Sequence, residues 1–560
     1  MSTIATTGAT TGSTTGSSGT TYVSGTSGFD SASLIAAAVQ AKMQPAYRLD
    51  AQITALEAEA AAYQDMLSLM TDLTAASEAL SGFSDSSVYQ RYATYLTAPA
   101  LGDPQAYMSA TVSESASPGI YEIEVTQLAQ SMKVASEERD AAAALGLAGS
   151  FSLSADGVAG AEIAVTADMT LADIAEAINA ASEDSGVVAT LIRTSDGGST
   201  LTLSTVETGV SLSATSISGD DVLQVLGVTD AGGAFANELQ AAQEAILTID
   251  GVTVTSASND IEDLIPGVSI NLYGATEDDA ITLEVGQDLS AISGAVEAFV
   301  EAFNAYRTFA LNQQAVVDGE GAAEGAALFG DSLLKSANEA LYDVMETNVE
   351  LDGVSYALAD IGITYGAGNL LTIDQEALEE ALLQRPEVVE AFFASSATTG
   401  SPDLGATSLA GGMANGGYGV DVVTDAATGE VLSASIDGVA LAVDGASLRG
   451  AEGTAYQGLT LVYTGDGGGS FTVTVSQGLA DQMAASLETF TAGNDGLLTA
   501  KIENLEAGID DKREDRADIA RSAADYEAAL VDTYARLEQE IEQSKLLLKQ
   551  VEALLGGDDD

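Results

Sequence analysis

From Ile502 onward a single row of positions recurs at alternating steps of three and four. It runs Ile502, Leu505, Ile509, Lys512, Arg516, Ile519, Ala523, Tyr526 and Leu530. After one extra step of four it resumes as Tyr534, Leu537, Ile541, Ser544, Leu548, Val551 and Leu555, with no proline anywhere. An average spacing of 3.5 lays one stripe of a helix against a second helix, and an added step rewinds the pair locally. At 1.5 Å per residue such a helix is about 80 Å long, longer than the interior of one compact domain. Its stripe therefore needs a partner helix.

The same period occurs near the other end of the chain. Asp30 reads as an N-cap for a helix carrying Leu34, Ile35 and Val39, Pro45 is expected to interrupt it, and Leu49, Ile53, Leu56, Ala60, Tyr63, Leu67 and Met70 continue until Gly82. Charge matches the two stripes. Lys501, Lys512, Arg513, Arg516, Arg521, Arg536, Lys545 and Lys549 lie in the tail, whereas the earlier helix offers Asp50, Glu57, Glu59, Asp65, Asp72 and Glu78. Complementary flanking charge across an apolar seam selects partner and register. The two ends of the chain are thus expected to pack together and leave the middle as an insertion.

That middle changes period. Tyr121 to Thr126 and Leu201 to Ser204 alternate polar with apolar, and Ile246 to Ile249 meets Val252 to Val254 across Asp250-Gly251, a strong hairpin signal. Asp196-Gly197-Gly198 makes a similar turn, preceded by a short helix with Leu171, Ile174 and Ile178 on one face. Helical periodicity returns at 289–312, 327–346 and 374–393. A second β-rich block follows at about 400–478, with hairpins expected at Ile436-Asp437-Gly438-Val439 and from Leu461 to Val475 around Gly465-Asp466-Gly467. Residues 2–27, nearly all Ser, Thr, Gly and Ala, cannot bury enough apolar surface to order themselves and are expected to be disordered.

Composition narrows the function. The 560 residues contain no His, Cys or Trp, which excludes zinc fingers, thiol nucleophiles, Ser-His-Asp triads and disulfides. With 84 Asp and Glu against 18 Lys and Arg, the formal charge is −66, which repels nucleic acid and anionic lipid. So many carboxylates make any one glycosidase-like pair uninformative. No calcium-loop or P-loop pattern occurs, and Asp558-Asp559-Asp560 reads as a solvated end. No apolar run is long enough to span a bilayer, and the start lacks the basic and apolar regions of a cleavable signal peptide. The missing cysteines fit a cytosolic chain and one exported unfolded alike. No catalytic residue, cofactor or metal site is expected.

Several segments together resemble the flagellar filament-capping family, hook-associated protein 2 or FliD. Ser27-Gly28-Phe29-Asp30 is similar to its opening S-G-[LF]-D. Gly119-Ile120-Tyr121-Glu122-Ile123-Glu124-Val125-Thr126-Gln127-Leu128-Ala129-Gln130 resembles its G-x-Y-x-[IV]-x-V-x-x-L-A-Q strand. Residues 163–209 look like the motif shared by flagellins and hook proteins, and Leu328-Phe329-Gly330-Asp331-Ser332 and Leu358-Ala359-Asp360-Ile361-Gly362-Ile363 resemble two further signatures. The block at 400–478 looks like an addition to the common core.

The resemblance implies an elongated, multi-domain α+β chain, with terminal helices forming a coiled-coil leg and inserted β-rich head domains. The expected divisions are a leader at 1–28, leg helices at 29–84, a head β domain at 85–145 and 236–290, and a distal head domain at 146–235. A helical core follows at 291–398, an added β domain at 399–480 and the terminal helix at 481–560. Assembly is expected to use the seam residues Leu49, Ile53, Leu56, Tyr63, Leu67, Met70, Ile502, Leu505, Ile509, Leu530, Tyr534, Leu537, Ile541, Leu548, Val551 and Leu555. The implied role is a homo-oligomeric cap at the distal filament tip, exported without a cleaved signal. The implied partners are further copies of itself, flagellin, hook–filament junction proteins and a cytoplasmic export chaperone. Another axial protein, or a surface adhesin, is the alternative.

Overall fold

In the computed structural model the C-terminal row is one uninterrupted helix, Leu497–Leu555. The structure describes residues 13–15, 21–23, 30–84, 86–113, 115–156, 160, 162–195, 197–277, 279–317, 321–351, 354–409, 413–493 and 495–555, with side chains from 30 to 552. The chain is α+β and divides into two units, residues 1–86 with 293–560, and residues 87–292. The expectation of a disordered leader lies mainly outside the described residues, although Ser13–Thr15 and Thr21–Val23 pair antiparallel.

In the first unit, Asp30 caps the N-terminal helix Ser31–Ala79 by accepting from the Ser33 N–H at 3.0 Å. The expected break at Pro45 is corrected, because the helix passes straight through it. Proline removes one donor and crowds the carbonyl four residues back. Here Pro45 lies on the exposed face, and contacts with the C-terminal helix on both sides of it hold the two halves on one partner. The helix also stops before Gly82, with Leu80 as its C-cap. Gly82 serves another purpose, since a Cβ there would stand 2.1 Å from the Ser395 carbonyl oxygen.

Helices Leu289–Gln313, which begins at the unit boundary, Ser332–Met345 and Leu479–Thr491 add to this core. The 374–393 pattern becomes two helices, Gln375–Gln384 and Pro386–Phe393, because the residue before a proline avoids the helical region. Phe299, Phe392 and Phe393 interlock edge to face, with ring centroids 5.7 Å apart in both pairs. Residues 396–476 form an eight-stranded antiparallel sheet. Its Asp437-Gly438 hairpin forms as expected, with Ile436 opposite Val439. The expected Leu461–Val475 hairpin does not. Thr460–Tyr463 pairs with Ser447–Gly450 and Leu404–Ser408, while Gly469–Ser476 pairs with Gly416–Thr424 and Ser396–Thr399. Crossing over places the strand of Val473 and Val475 between two others, where both side chains are buried, and that gain outweighs the local preference for a hairpin.

The second unit holds two apolar cores. One lies among strands Tyr92–Thr97, Met108–Val112, Gly119–Gln127 and the five strands between Ala245 and Gln287. Its Asp250-Gly251 turn joins Ile249 to Val252, and both turn residues adopt positive φ, 48° and 80°. The other core lies within residues 132–228. There Thr170 and Asp173 form a capping box on helix Leu171–Ala180, and Leu171, Ile174 and Ile178 are fully buried. Strands Val187–Arg193 and Ser199–Thr205 pair as expected, while Asp196 of their turn lies outside the described residues.

Candidate functional site

The two long terminal helices lie antiparallel. Ser31 Oγ donates to Glu538 Oε1 at 2.8 Å, and Arg516 bonds Asp50. Lys512 Nζ donates to Gln52 at 3.0 Å, Arg513 meets Glu57 at 2.7 Å, and Lys501 meets Glu59 at 3.0 Å. Across the set, from Ser31–Glu538 to Glu59–Lys501, position falls on one helix as it rises on the other, which is the signature of an antiparallel register. These pairs are at least partly exposed, so each contributes about 0–1 kcal/mol and chiefly fixes register.

Between the charges runs the apolar contact. Ile53, Tyr63 and Met70 are buried, and Leu49, Leu56 and Leu67 are half-buried. On the other helix Ile502, Leu505 and Ile509 are buried, and Leu530, Tyr534 and Ile541 are half-buried. Residues 512 to 516 of that row use polar ends instead, on Gln52 and Asp50.

Tyr63 is the point where three helices meet. Lys501 lies over its ring at 5.4 Å while pairing with Glu59. Burial pushes the Tyr63 phenol above its ordinary range, and the Asp331 and Glu59 carboxylates act in the same direction. Asp331 meanwhile caps helix Ser332–Met345, accepting from Leu333 and Leu334 at 2.8 and 2.9 Å. The resemblance motif 328–332 is therefore a helix start packed near this junction.

The remaining expected positions lie elsewhere. Because Ser31 stands opposite Glu538, the C-terminal helix continues to Leu555 past the first residue of its partner. In that stretch Leu546, Leu547, Leu548 and Val551 are 59, 61, 61 and 48% exposed, and Leu537 just before it is 39% exposed. The side chain of Leu555 lies outside the described residues. The sequence reading missed Met66, Leu73 and Leu80, which are fully buried. Ala62, Met66, Leu73 and Leu80 form a second stripe beside the first, and the N-terminal helix packs against helix Leu479–Thr491 as well as the C-terminal helix. Two adjacent stripes were the available signal for burial on two sides.

At the foot of this pairing the Asp481 carboxylate gathers three donors from two segments. They are the Ser81 hydroxyl, the Gly82 N–H at 3.3 Å and the Ser395 N–H at 2.6 Å. Among the described residues no group of three or more His, Cys, Asp or Glu gathers as a metal site, and no helix is long and apolar enough to cross a membrane. The arrangement offers an apolar, helical docking stripe.

Comparison with known proteins bears on the same elements. The model for the C-terminus of flagellar hook-associated protein 2 matches residues 242–545, and that for its N-terminus matches 27–132. Together they take in the N-terminal helix and the C-terminal helix as far as residue 545. The chain belongs to the flagellar hook-associated protein 2 family. A third model, the flagellin hook IN motif, matches residues 150–207.

Among curated relatives, the B-type flagellar hook-associated protein 2 of Pseudomonas aeruginosa is 31% identical over 54% of this chain and 67% of its own length. The A-type protein of that species is 29% identical over 51% and 64%. The chain thus spans about two thirds of the length of these relatives. The crystal structure of the flagellar cap protein FliD D1-D2-D3 domains from Escherichia coli is 22% identical, with a TM-score of 0.43 covering 80% of this chain and 99% of that one. Membership rests on the family models.

Proposed function

We propose that this chain is a filament cap, a homo-oligomeric assembly protein at the distal end of the flagellar filament. In this role it retains exported flagellin and helps each subunit fold and join the filament. Family membership supports the reading, and the observation that carries it is the bare end of the C-terminal helix. An apolar stripe held out beyond its intramolecular partner is a surface for other subunits. On this reading the paired helices are the leg and residues 87–292 the head. The partners are further copies of the chain, flagellin, the hook–filament junction proteins and, before export, a cytoplasmic chaperone. The protein leaves the cell without a cleaved signal and works outside it, making and breaking no covalent bond.

The test is genetic. Cells lacking the gene should release unpolymerised flagellin into the medium, and the intact gene should restore filaments. A variant carrying Leu548→Asp and Val551→Asp should fold and be exported yet fail to restore them. Normal filaments on cells without the gene would refute the capping role.

A further inference from the structure

Two parts of the chain are built alike, strand for strand. The sheet of residues 396–476 runs, edge to edge, Ser396–Thr399, Gly469–Ser476, Gly416–Thr424, Val431–Ile436, Val439–Asp444, Ser447–Gly450, Thr460–Tyr463 and Leu404–Ser408. In the second unit, setting residues 128–244 aside, one sheet runs Tyr92–Thr97, Ile281–Gln287, Gly119–Gln127, Ala245–Ile249 and Val252–Ser256. A second runs Asp260–Ile265, Val268–Leu272 and Met108–Val112. Numbered along the chain, both read first, eighth, third, fourth, fifth, sixth, seventh, second.

Register agrees as well. Ile123 sits between Ile249 and Ile281, and Val420 sits between Ile436 and Phe471. Met108 faces Leu272 and Ala110 faces Ile270, just as Leu404 faces Tyr463 and Ala406 faces Leu461. Both cores are built from these positions. The fourth and fifth strands are joined in each case by an Asp-Gly turn that carries the same lock. Asp250 Oδ1 accepts from the Glu122 N–H at 2.9 Å, and Asp437 Oδ1 accepts from the Gly419 N–H at 2.8 Å. The backbone N–H of each Asp returns a bond to the carbonyl of that same residue.

The two differ in one place. Between its third and fourth strands the first module carries the core of residues 132–228, whereas the second has a loop at 425–430 that Asp425 closes on itself, accepting from Ala427 and Thr428 at 2.8 and 3.1 Å. The split sheet of the first module has the same origin. Its fifth and sixth strands part where Thr208 of the inserted domain donates to the Ala257 carbonyl at 2.6 Å, while in the second module Asp444 pairs with Ser447.

We propose that residues 396–476 are a second copy of the 92–287 module without the inserted domain, and that loop 425–430 is its mounting site, able to carry a folded domain. Agreement in strand order, register and side-chain lock carries the inference, which stands independently of the capping reading. The module's ends also meet, since the Gly478 N–H donates to Ser395 Oγ at 2.9 Å, so the unit can leave without opening the helical core.

Three variants of the chain test this by hydrogen exchange and circular dichroism. In one, residues 129–244 of the chain replace 426–429. In a second the same segment interrupts Asp437-Gly438. In the third, Ser395 is joined directly to Gln477. The first should keep the amide protection of strands Gly416–Thr424 and Val431–Ile436. The second should lose at least about tenfold in those strands. The third should keep the helical signal of the terminal pair. Equal disruption by both insertions, or collapse of the helices on excision, would overturn the proposal.

Discussion

At the scale of single residues, the seam separates into positions that hold the fold together and positions that do not. Met70 and Leu73 are fully buried where the N-terminal helix is packed on two sides. Met70→Ala or Leu73→Ala should each lower the unfolding free energy by about 2–5 kcal/mol, measured by denaturant titration. Leu548→Ala, on the bare end, should change it by less than about 0.5 kcal/mol. Tyr306 is a different case. Its side chain is fully buried, its hydroxyl has no hydrogen-bond partner among the described residues, and burial pushes its phenol above the ordinary range. Tyr306→Phe removes an unpaired polar atom and should leave stability unchanged or raise it by up to about 1 kcal/mol. Periodicity found Met70 but passed over Leu73, because one stripe was followed where the helix carries two.

At the scale of elements, the pairing of the terminal helices, the Asp30 cap and both Asp-Gly hairpins were legible, since each is written within a few neighbouring residues. The crossover of Thr460–Tyr463 and Gly469–Ser476 was not, because strand order is decided by burial among strands distant in sequence. For the same reason the repeat stayed hidden, its first copy being cut in two by another domain. Charge specifies the helix pair only weakly. Arg513→Glu should lower stability only slightly, less in high salt, and Glu57→Arg should restore the loss. Helix Leu171–Ala180 provides a titration. Thr170 bonds Asp173 through its backbone N–H and its hydroxyl, both at 2.8 Å, and these bonds hold the carboxyl below its ordinary value. The unfolded chain therefore binds this proton more readily. The stabilisation is complete above the unfolded value and disappears as pH falls through the folded one. Thermal melts across that range should show a smaller acid loss in Asp173→Asn than in the parent chain, where Asp168 and Asp425 are also held low.

For the whole molecule, a charge of −66 per chain means that any ring of copies must be assembled against its own repulsion. Screening acts over about 10 Å at 0.1 M salt, so the oligomer should loosen as salt is removed, visible as smaller species in mass measurements. An equally stable ring at millimolar salt would place the charge away from the contacts. Beneath this lies the antiparallel pairing of the two long terminal helices, on which the exposed end of the C-terminal helix depends. Because the chain contains no cysteine, a pair can be introduced cleanly at Gln52→Cys and Lys512→Cys, positions whose native side chains touch at 3.0 Å. With a short bifunctional thiol reagent at high dilution, the pair should link within one molecule, while Gln52→Cys with Leu548→Cys should not. Linkage only between molecules, or no linkage at the first pair, would contradict that pairing.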